Sequence, residues 1–370
     1  MSFTATKAEI DCAHSDAAAA RSVILVAGMH RSGTSVFTRT LSLLGCSLPK
    51  TTLSTVWESR VVIRLDEHML ASAGCGWDDW KPFAADCLSN RMASSFRRRA
   101  EATLRDEFGS ASLCVLKDPR LCRLLPVWLG ASENLGIAPV VILPIRNPLE
   151  VAASLEARDG IDPSIGQLLW LRYVLDAEHA SRGFRRALFR YDHLIADWRA
   201  VVEGLSETLG ITWPTPLAAA AIEVEPCISP TKRHHQMDDA RVFGDPTLSS
   251  WLKSTFEILS RWTQGEIKES DAAELDRIRS NFDDAAGLFT RTALASRPLF
   301  HQRLAKLETK LEKRDVRIRT LTAKLAAKRN RMTAERRASM RLRHSISWRV
   351  TRPLRLMARV SRRLRQMTAL

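Results

Sequence analysis

The chain has seven cysteines but no Cys-x-x-Cys pair and no histidines grouped beside them, so neither a zinc framework nor a disulfide scaffold is encoded. It also lacks any stretch approaching the ~20 continuous apolar residues of a membrane span. The first 21 residues hold acidic groups and an alanine run but no basic-then-apolar signal design. From these absences we expect a cytoplasmic protein with reduced, incidental thiols. Acidic residues are scarce toward the C-terminus. From Arg297 onward 23 Lys/Arg face 4 Asp/Glu, whereas residues 1–296 hold 33 against 37. The net charge of +15 therefore belongs to the tail and says little about the body. With 45% hydrophobic and 26% charged residues, the composition is that of a globular domain with appendages. The expected division is a loose leader over 1–20, a catalytic domain over 21–296, a basic coiled coil or long helix over 297–345, and a basic amphipathic tail over 346–370.

Chemistry concentrates in the stretch Val23 to Val36. An apolar, β-branched run closes at Gly28, a polar loop follows, and Val36, Leu41, Leu43 and Leu44 then space out as one helix face. A strand entering a helix through such a loop aims backbone N–H groups and a helix dipole at one point, which makes an anion site. The loop nearly fits the nucleotide triphosphatase pattern of Gly, four residues, Gly, Lys, Ser/Thr. Thr34 occupies the lysine position, however, and the cation is Arg31 instead.

Further apolar runs, at Leu113 to Lys117, Pro139 to Ile145 and Ala187 to Arg190, alternate with helical patterns over 61–71, 91–108, 121–129, 165–183 and 198–209. Gly45 to Thr55 reads as loop, and residues 72–90 as a lid or acceptor-facing loop without clear period. Such alternation predicts an α/β fold, a P-loop-like parallel sheet with helices on both faces. Ligands of such sheets bind beyond the carboxyl ends of the strands. Arg31, Lys117, Asp118, Arg120 and Arg146 all follow strand ends.

His30-Arg31-Ser32-Gly33-Thr34-Ser35 resembles the 5′-phosphosulfate loop of bacterial sulfotransferases that use 3′-phosphoadenosine-5′-phosphosulfate (PAPS). Arg146-Asn147-Pro148 with Ser154 eight residues on resembles their 3′-phosphate element. Leu116-Lys117-Asp118-Pro119-Arg120, Trp170-Leu171-Arg172-Tyr173 and Phe189-Arg190-Tyr191-Asp192 are similar to further family segments. Ser229 to His235 is a weaker echo, in which Arg233 is a candidate nucleotide contact. The glycine-rich C-terminal nucleotide motif of the animal enzymes is absent. The resemblance implies PAPS as co-substrate, no metal, and a hydroxyl acceptor on a carbohydrate or lipid-linked glycan. It assigns the nucleotide to His30, Arg31, Ser32, Gly33, Thr34, Ser35, Arg146, Ser154 and Arg233. Arg31 would stabilise the leaving oxygen. For the general base two candidates stay open: Glu58, from a Trp-Glu pair like that of bacterial relatives, and His68, whose imidazole titrates near neutrality. The competing readings are a P-loop kinase or NTPase and a non-catalytic nucleotide-binding scaffold.

In the tail, Leu304, Leu307, Leu311, Ile318, Leu321, Leu325 and Met332 recur at steps of three and four, with Arg314 and Lys328 filling the gaps. That spacing predicts a coiled coil, with homodimerisation as its partner reading, or a single long basic helix. Beyond it Ile346, Val350, Leu354, Met357, Val360, Leu364 and Met367 form an apolar stripe among seven arginines from Arg349 to Arg365. The stripe predicts peripheral contact with the inner face of a membrane. No nucleic-acid fold accompanies the charge, and nucleic acid is not an expected partner.

Overall fold

The computed structural model describes residues 21–83, 89–228, 236–295 and 298–367. Four strands form one parallel sheet in the order β4-β1-β5-β6: β1 (Ser22–Val26), β4 (Leu113–Lys117), β5 (Ala138–Ile145) and β6 (Arg185–Arg190). They are the four apolar runs of the sequence, buried because both faces are covered. Between β1 and β4 lie α1 (Thr34–Leu43), a two-stranded hairpin of β2 (Thr52–Leu53) and β3 (Glu58–Ser59), α2 (Arg60–Ser72) and α3 (Asn90–Phe108). The hairpin replaces the end of the expected loop over 45–55. Two-residue strands have no period that a sequence displays.

The remaining elements of the first unit are α4 (Leu121–Asn134), α5 (Pro148–Asp159), α6 (Pro163–Ser181), α7 (Tyr191–Ala196), α8 (Trp198–Leu209), α9 (Leu217–Val224), α10 (Asp239–Gly244), α11 (Ser250–Trp262) and α12 (Asp271–Ala295). On one sheet face Ile24, Val26, Val140, Ile142 and Phe189 pack with Phe37 and Leu41 of α1 and with Val201, Val202 and Leu205 of α8. The alternate positions Leu25, Leu116, Val141 and Leu143 are buried on the opposite face, where α4 and α6 contact the sheet. In α1 the buried positions are Thr34, Phe37, Thr38, Thr40 and Leu41, not Val36 and Leu43, which are partly exposed. Small hydroxyl residues let this helix lie close to the strands.

From β1 the chain runs to β4 on one side, and from β5 to β6 on the other. The connections therefore diverge between β1 and β5, and the loops leaving these two strands flank a topological switch point, the usual place for a ligand. Among the described residues Cys46, Cys75, Cys114, Cys122 and Cys227 are buried free thiols.

The described residues divide into two compact units, with the boundary between Arg291 and Thr292 in the last turn of α12. The second contains α13 (Pro298–His344), α14 (Ile346–Val350) and α15 (Arg352–Met367). At 1.5 Å per residue α13 is about 70 Å long. Its seam residues Ile318, Leu321, Leu325 and Met332 are exposed.

Candidate active site

The loop from Ala27 to Gly33 is bent by two left-handed residues, Arg31 (φ 69°) and Gly33 (φ 81°). Only glycine fits the second position. A Cβ there would lie 2.0 Å from Cδ2 of Tyr191, whose ring packs flat on the loop from the first turn of α7. No side chain caps the N-terminus of α1, so its first amides stay directed at the loop mouth. Two buried side-chain atoms in the loop, Ser32 Oγ and His30 Nε2, have no hydrogen-bond partner among the described residues. Uncapped amides and orphaned polar atoms around one backbone turn are what an anion site needs.

Arg31 and Ser154, 123 residues apart in sequence, meet here: Arg31 Nε donates to Ser154 Oγ at 2.7 Å. Asn147 caps α5 by accepting from the Leu149 amide, and Pro148, which suits the first helical position, opens the helix that carries Ser154. Arg146 donates from Nη1 to the Arg31 carbonyl at 2.7 Å and from Nε to Glu150 at 2.8 Å. Its guanidinium also lies 4.6 Å over the Tyr191 ring. The sequence assigns Arg146 to a phosphate. In the structure part of its planar fork holds the left-handed turn at Arg31, and Glu150, fully buried, supplies the counter-charge. Glu150 in turn accepts from the Met237 amide at 2.9 Å, anchoring the chain just beyond residues 229–235. Burial lowers the pKa of Arg31, and the Arg158 and Arg146 charges lower it further. Surplus positive potential of this kind is relieved by a bound anion.

A second group lies at the other side of the loop. Lys117, only 2% exposed at the end of β4, donates to Ser35 Oγ at 3.0 Å, to the Val56 carbonyl at 2.9 Å and to Glu58 Oε1. The hairpin delivers Glu58: Trp57 just before it is left-handed (φ 58°), which turns the chain so that β3 pairs back on β2. Desolvation raises the Glu58 pKa and lowers that of Lys117, and in each case the partner's charge opposes the shift. Burial thus brings the two groups' proton affinities toward each other.

Next to this pair, Asp118 and Arg120 are joined by two bonds of 3.0 and 3.1 Å, and Arg120 also reaches Glu67 at 2.8 Å. Asp66, wholly buried, accepts from the Trp128 indole at 2.9 Å. Burial first, and then the Asp118 charge, hold its carboxyl well above the usual range.

His30 lies between Trp77 and Tyr173, at ring distances of 4.8 and 5.8 Å. Desolvation, followed by the charges of Arg120, Arg158, Lys117 and Arg31, lowers its pKa well below the usual histidine value, so the ring is neutral. The segment expected as a lid is clamped over residues 73–83. Arg172 donates to the Trp80 carbonyl and Tyr173 to that of Trp77, while Arg123 binds the carbonyls of Gly76, Asp79 and Lys81. Trp80 is core, and Trp77 is half-buried beside the loop.

His68, the alternative base, sits exposed on α2, with Arg99 at 2.9 Å from Nδ1 and the Phe96 ring edge-on. The structure thus holds Glu58, and not His68, against the loop. Arg233 lies outside the described residues, as do Lys232, His234 and His235. Sequence reasoning placed Lys117 among the strand-end residues and Tyr191 within a quoted motif, but gave neither a role in the site. Arg158 and Glu150 carry no signal that sequence alone would read. Among the described residues no three His, Cys, Asp or Glu side chains gather as metal ligands.

No family model and no curated protein matches the chain. Among solved structures it is similar to the sulfotransferase domain from the curacin biosynthetic pathway, at 16% identity over 70% of this chain and 97% of that one, with a TM-score of 0.34. It is similar also to the sulfotransferase domain of the Synechococcus PCC 7002 olefin synthase, at 16% identity over 71% and 94%, with a TM-score of 0.35. The sulfotransferase STF1 of Mycobacterium tuberculosis H37Rv is similar at 17% identity over 64% and 76%, with a TM-score of 0.37.

Proposed function

We propose that the protein is a sulfotransferase that moves a sulfuryl group from PAPS to a hydroxyl of a carbohydrate or lipid-linked glycan. The observation that carries this reading is the 2.7 Å bond between Arg31 and Ser154. It joins the loop that resembles a 5′-phosphosulfate site to the element that resembles a 3′-phosphate site. The orphaned Ser32 hydroxyl and His30 nitrogen, with the uncapped amides of α1, fit an anionic donor group.

In this reaction the acceptor oxygen attacks sulfur, the bond from sulfur to the bridging phosphate oxygen breaks, and adenosine 3′,5′-bisphosphate leaves. Arg31 and the loop amides stabilise the charge that grows on the leaving oxygen. Glu58, its carboxyl pushed upward by burial, takes the acceptor's proton, and Lys117 holds it beside Ser35. Trp77 offers an aromatic face next to the loop for a sugar ring.

A second reading, phosphoryl transfer from a nucleoside triphosphate, draws on Lys117. Its ammonium lies 3.0 Å from Ser35, the residue next to the position where the triphosphatase loop pattern carries its lysine. Nucleotide binding by titration calorimetry separates the two. Adenosine 3′,5′-bisphosphate should bind without magnesium, and sulfate transfer from PAPS should fall about 10²–10³-fold in Arg31→Ala. Preferential binding of ATP with magnesium, or no sulfate transfer from PAPS, would refute the sulfotransferase reading, and transfer unchanged in Arg31→Ala would refute the role given to Arg31.

A further inference from the structure

The last 35 residues, 336–370, contain no Asp or Glu. The long helix α13 ends at His344, and Ser345 restarts the chain by accepting from the Trp348 amide at 3.2 Å, which opens α14. Arg355, one turn into α15, lies 3.7 Å over the Trp348 indole and donates to the Trp348 carbonyl and to Thr351 Oγ1. One arginine thus ties α14 to α15 across the break, and its charge is spent on the joint.

What this small unit leaves outward is of two kinds. On a helix advancing ~100° per residue, Leu354, Leu356, Met357 and Val360 fall in one half of the wheel, and Arg352, Arg355 and Arg359 in the other. The apolar members are open to solvent: Leu354 is 67% exposed and Met357 69%, with Ile346 and Val350 of α14 more so. Arg349, Arg352 and Arg359 are exposed too, and none pairs with a carboxylate among the described residues.

We infer that α14 and α15 together are a docking element for an anionic lipid bilayer surface. The cationic half faces lipid phosphates, and the apolar half enters the boundary between headgroups and acyl chains. Charge complementarity selects this occupant. A second copy of the tail would bring the same arginines and no carboxylate to meet them. Nucleic acid would satisfy the arginines but leave a row of large apolar side chains in water. No described helix is long and apolar enough to cross a membrane, so the element lies on the surface and does not span it. A tail docked in this way would hold an enzyme near lipid-linked acceptors, but the inference stands independently of the reaction catalysed.

The test is co-sedimentation of the full chain with phosphatidylcholine vesicles, with and without phosphatidylglycerol. The chain should pellet only with the anionic vesicles, less so as salt rises. The double variant Leu354→Glu/Met357→Glu should lower vesicle affinity about tenfold or more. Both positions are exposed, so its circular dichroism should match the wild type. Three results would overturn the inference: equal pelleting with neutral vesicles, pelleting unaffected by the double variant, or a dimer without vesicles that the variant makes monomeric. Duplex DNA bound as tightly as anionic vesicles, and indifferent to the double variant, would assign the tail to nucleic acid instead.

Discussion

The mouth of the β1 loop and the tail helix α15 are both built of cations, and they differ in what surrounds each charge. At the loop every cation has an assigned partner: Arg31 has Ser154, Arg146 has Glu150 and the Arg31 carbonyl, Lys117 has Glu58 and Ser35. Burial of Lys117 and Arg146 makes their contacts expensive to leave unmade, and Arg31, though exposed, is tied by its bond to Ser154, so each fixes a position. On α15 Arg352 and Arg359 are exposed, and neither pairs with a carboxylate among the described residues. Their attraction is screened within about 10 Å and fixes no atom. Organised charge suits recognition of one small anion at set distances. Diffuse charge suits a surface whose phosphates have no fixed pattern.

If that contrast is right, disturbing the first region should cost stability and disturbing the second should not. The largest effect is expected from Lys117→Met, which strands Glu58 at a buried position and should cost about 3–5 kcal/mol in urea unfolding. Adding Glu58→Gln should return most of that loss, because neither charge is then left unpaired. A double variant as unstable as the single one would break the contrast, since the loss would then be packing and not charge. Gly33→Ala comes next, at about 1–3 kcal/mol. Part of its cost is the left-handed φ of 81° and part is the collision with Tyr191. Tyr191→Ala in the Gly33→Ala background should relieve only the collision.

β1, β4 and β5 could be read from the sequence because a buried parallel strand is an apolar run, whereas β6, at the sheet edge and opening on Arg185 and Arg186, was legible only from Ala187. Arg31, Arg146 and Ser154 were singled out through a resemblance to known phosphate elements, and the structure brings the three together. Glu58 was legible as a candidate, but the hairpin that delivers it was not. Its strands are two residues long, and its turn depends on a left-handed Trp57. Over 73–83 the stretch read as a lid or acceptor-facing loop is held by Arg123 and Arg172, which bind its backbone carbonyls from afar, and such contacts leave no local pattern. The helices after Gly210 form the same kind of blind spot. Asp283 of α12 holds Arg172 across more than a hundred residues of chain, beside Asp176 one turn along α6.

A smaller effect, with a definite sign, belongs to Asp66. Its carboxyl titrates above the ordinary value of 3.8 in the folded chain, because it is buried and stands near the Asp118 charge. Below that value both folded and unfolded chains are protonated there, and nothing is lost. As pH rises above 3.8 the unfolded chain releases its proton first, so stability falls until the folded carboxyl also ionises. Asp66→Asn keeps the acceptor for Trp128 and removes the proton. The variant should equal the wild type in acid and exceed it in urea midpoint by a margin that grows toward neutral pH. A margin that shrinks as pH rises would mean that the carboxylate is stabilising, and that burial does not dominate around the site.

The smallest effect tests the tail, where one arginine departs from the rest. Arg355 is half-buried on Trp348, whereas Arg359, one turn on, is exposed. A cation on an indole at an exposed site contributes about 0.5–1 kcal/mol, and Arg355 adds hydrogen bonds to Trp348 and Thr351. Arg355→Ala should therefore speed amide hydrogen exchange in α14 and the first turn of α15 by several-fold, leaving the unfolding midpoint of the sheet unmoved. Arg359→Ala should change neither. Exchange that quickens equally in both variants would mean that Arg355 organises nothing, and the tail would be diffuse charge throughout. Exchange that quickens only in Arg355→Ala would show that even this region spends one cation on shape, so that the others are presented on a defined face.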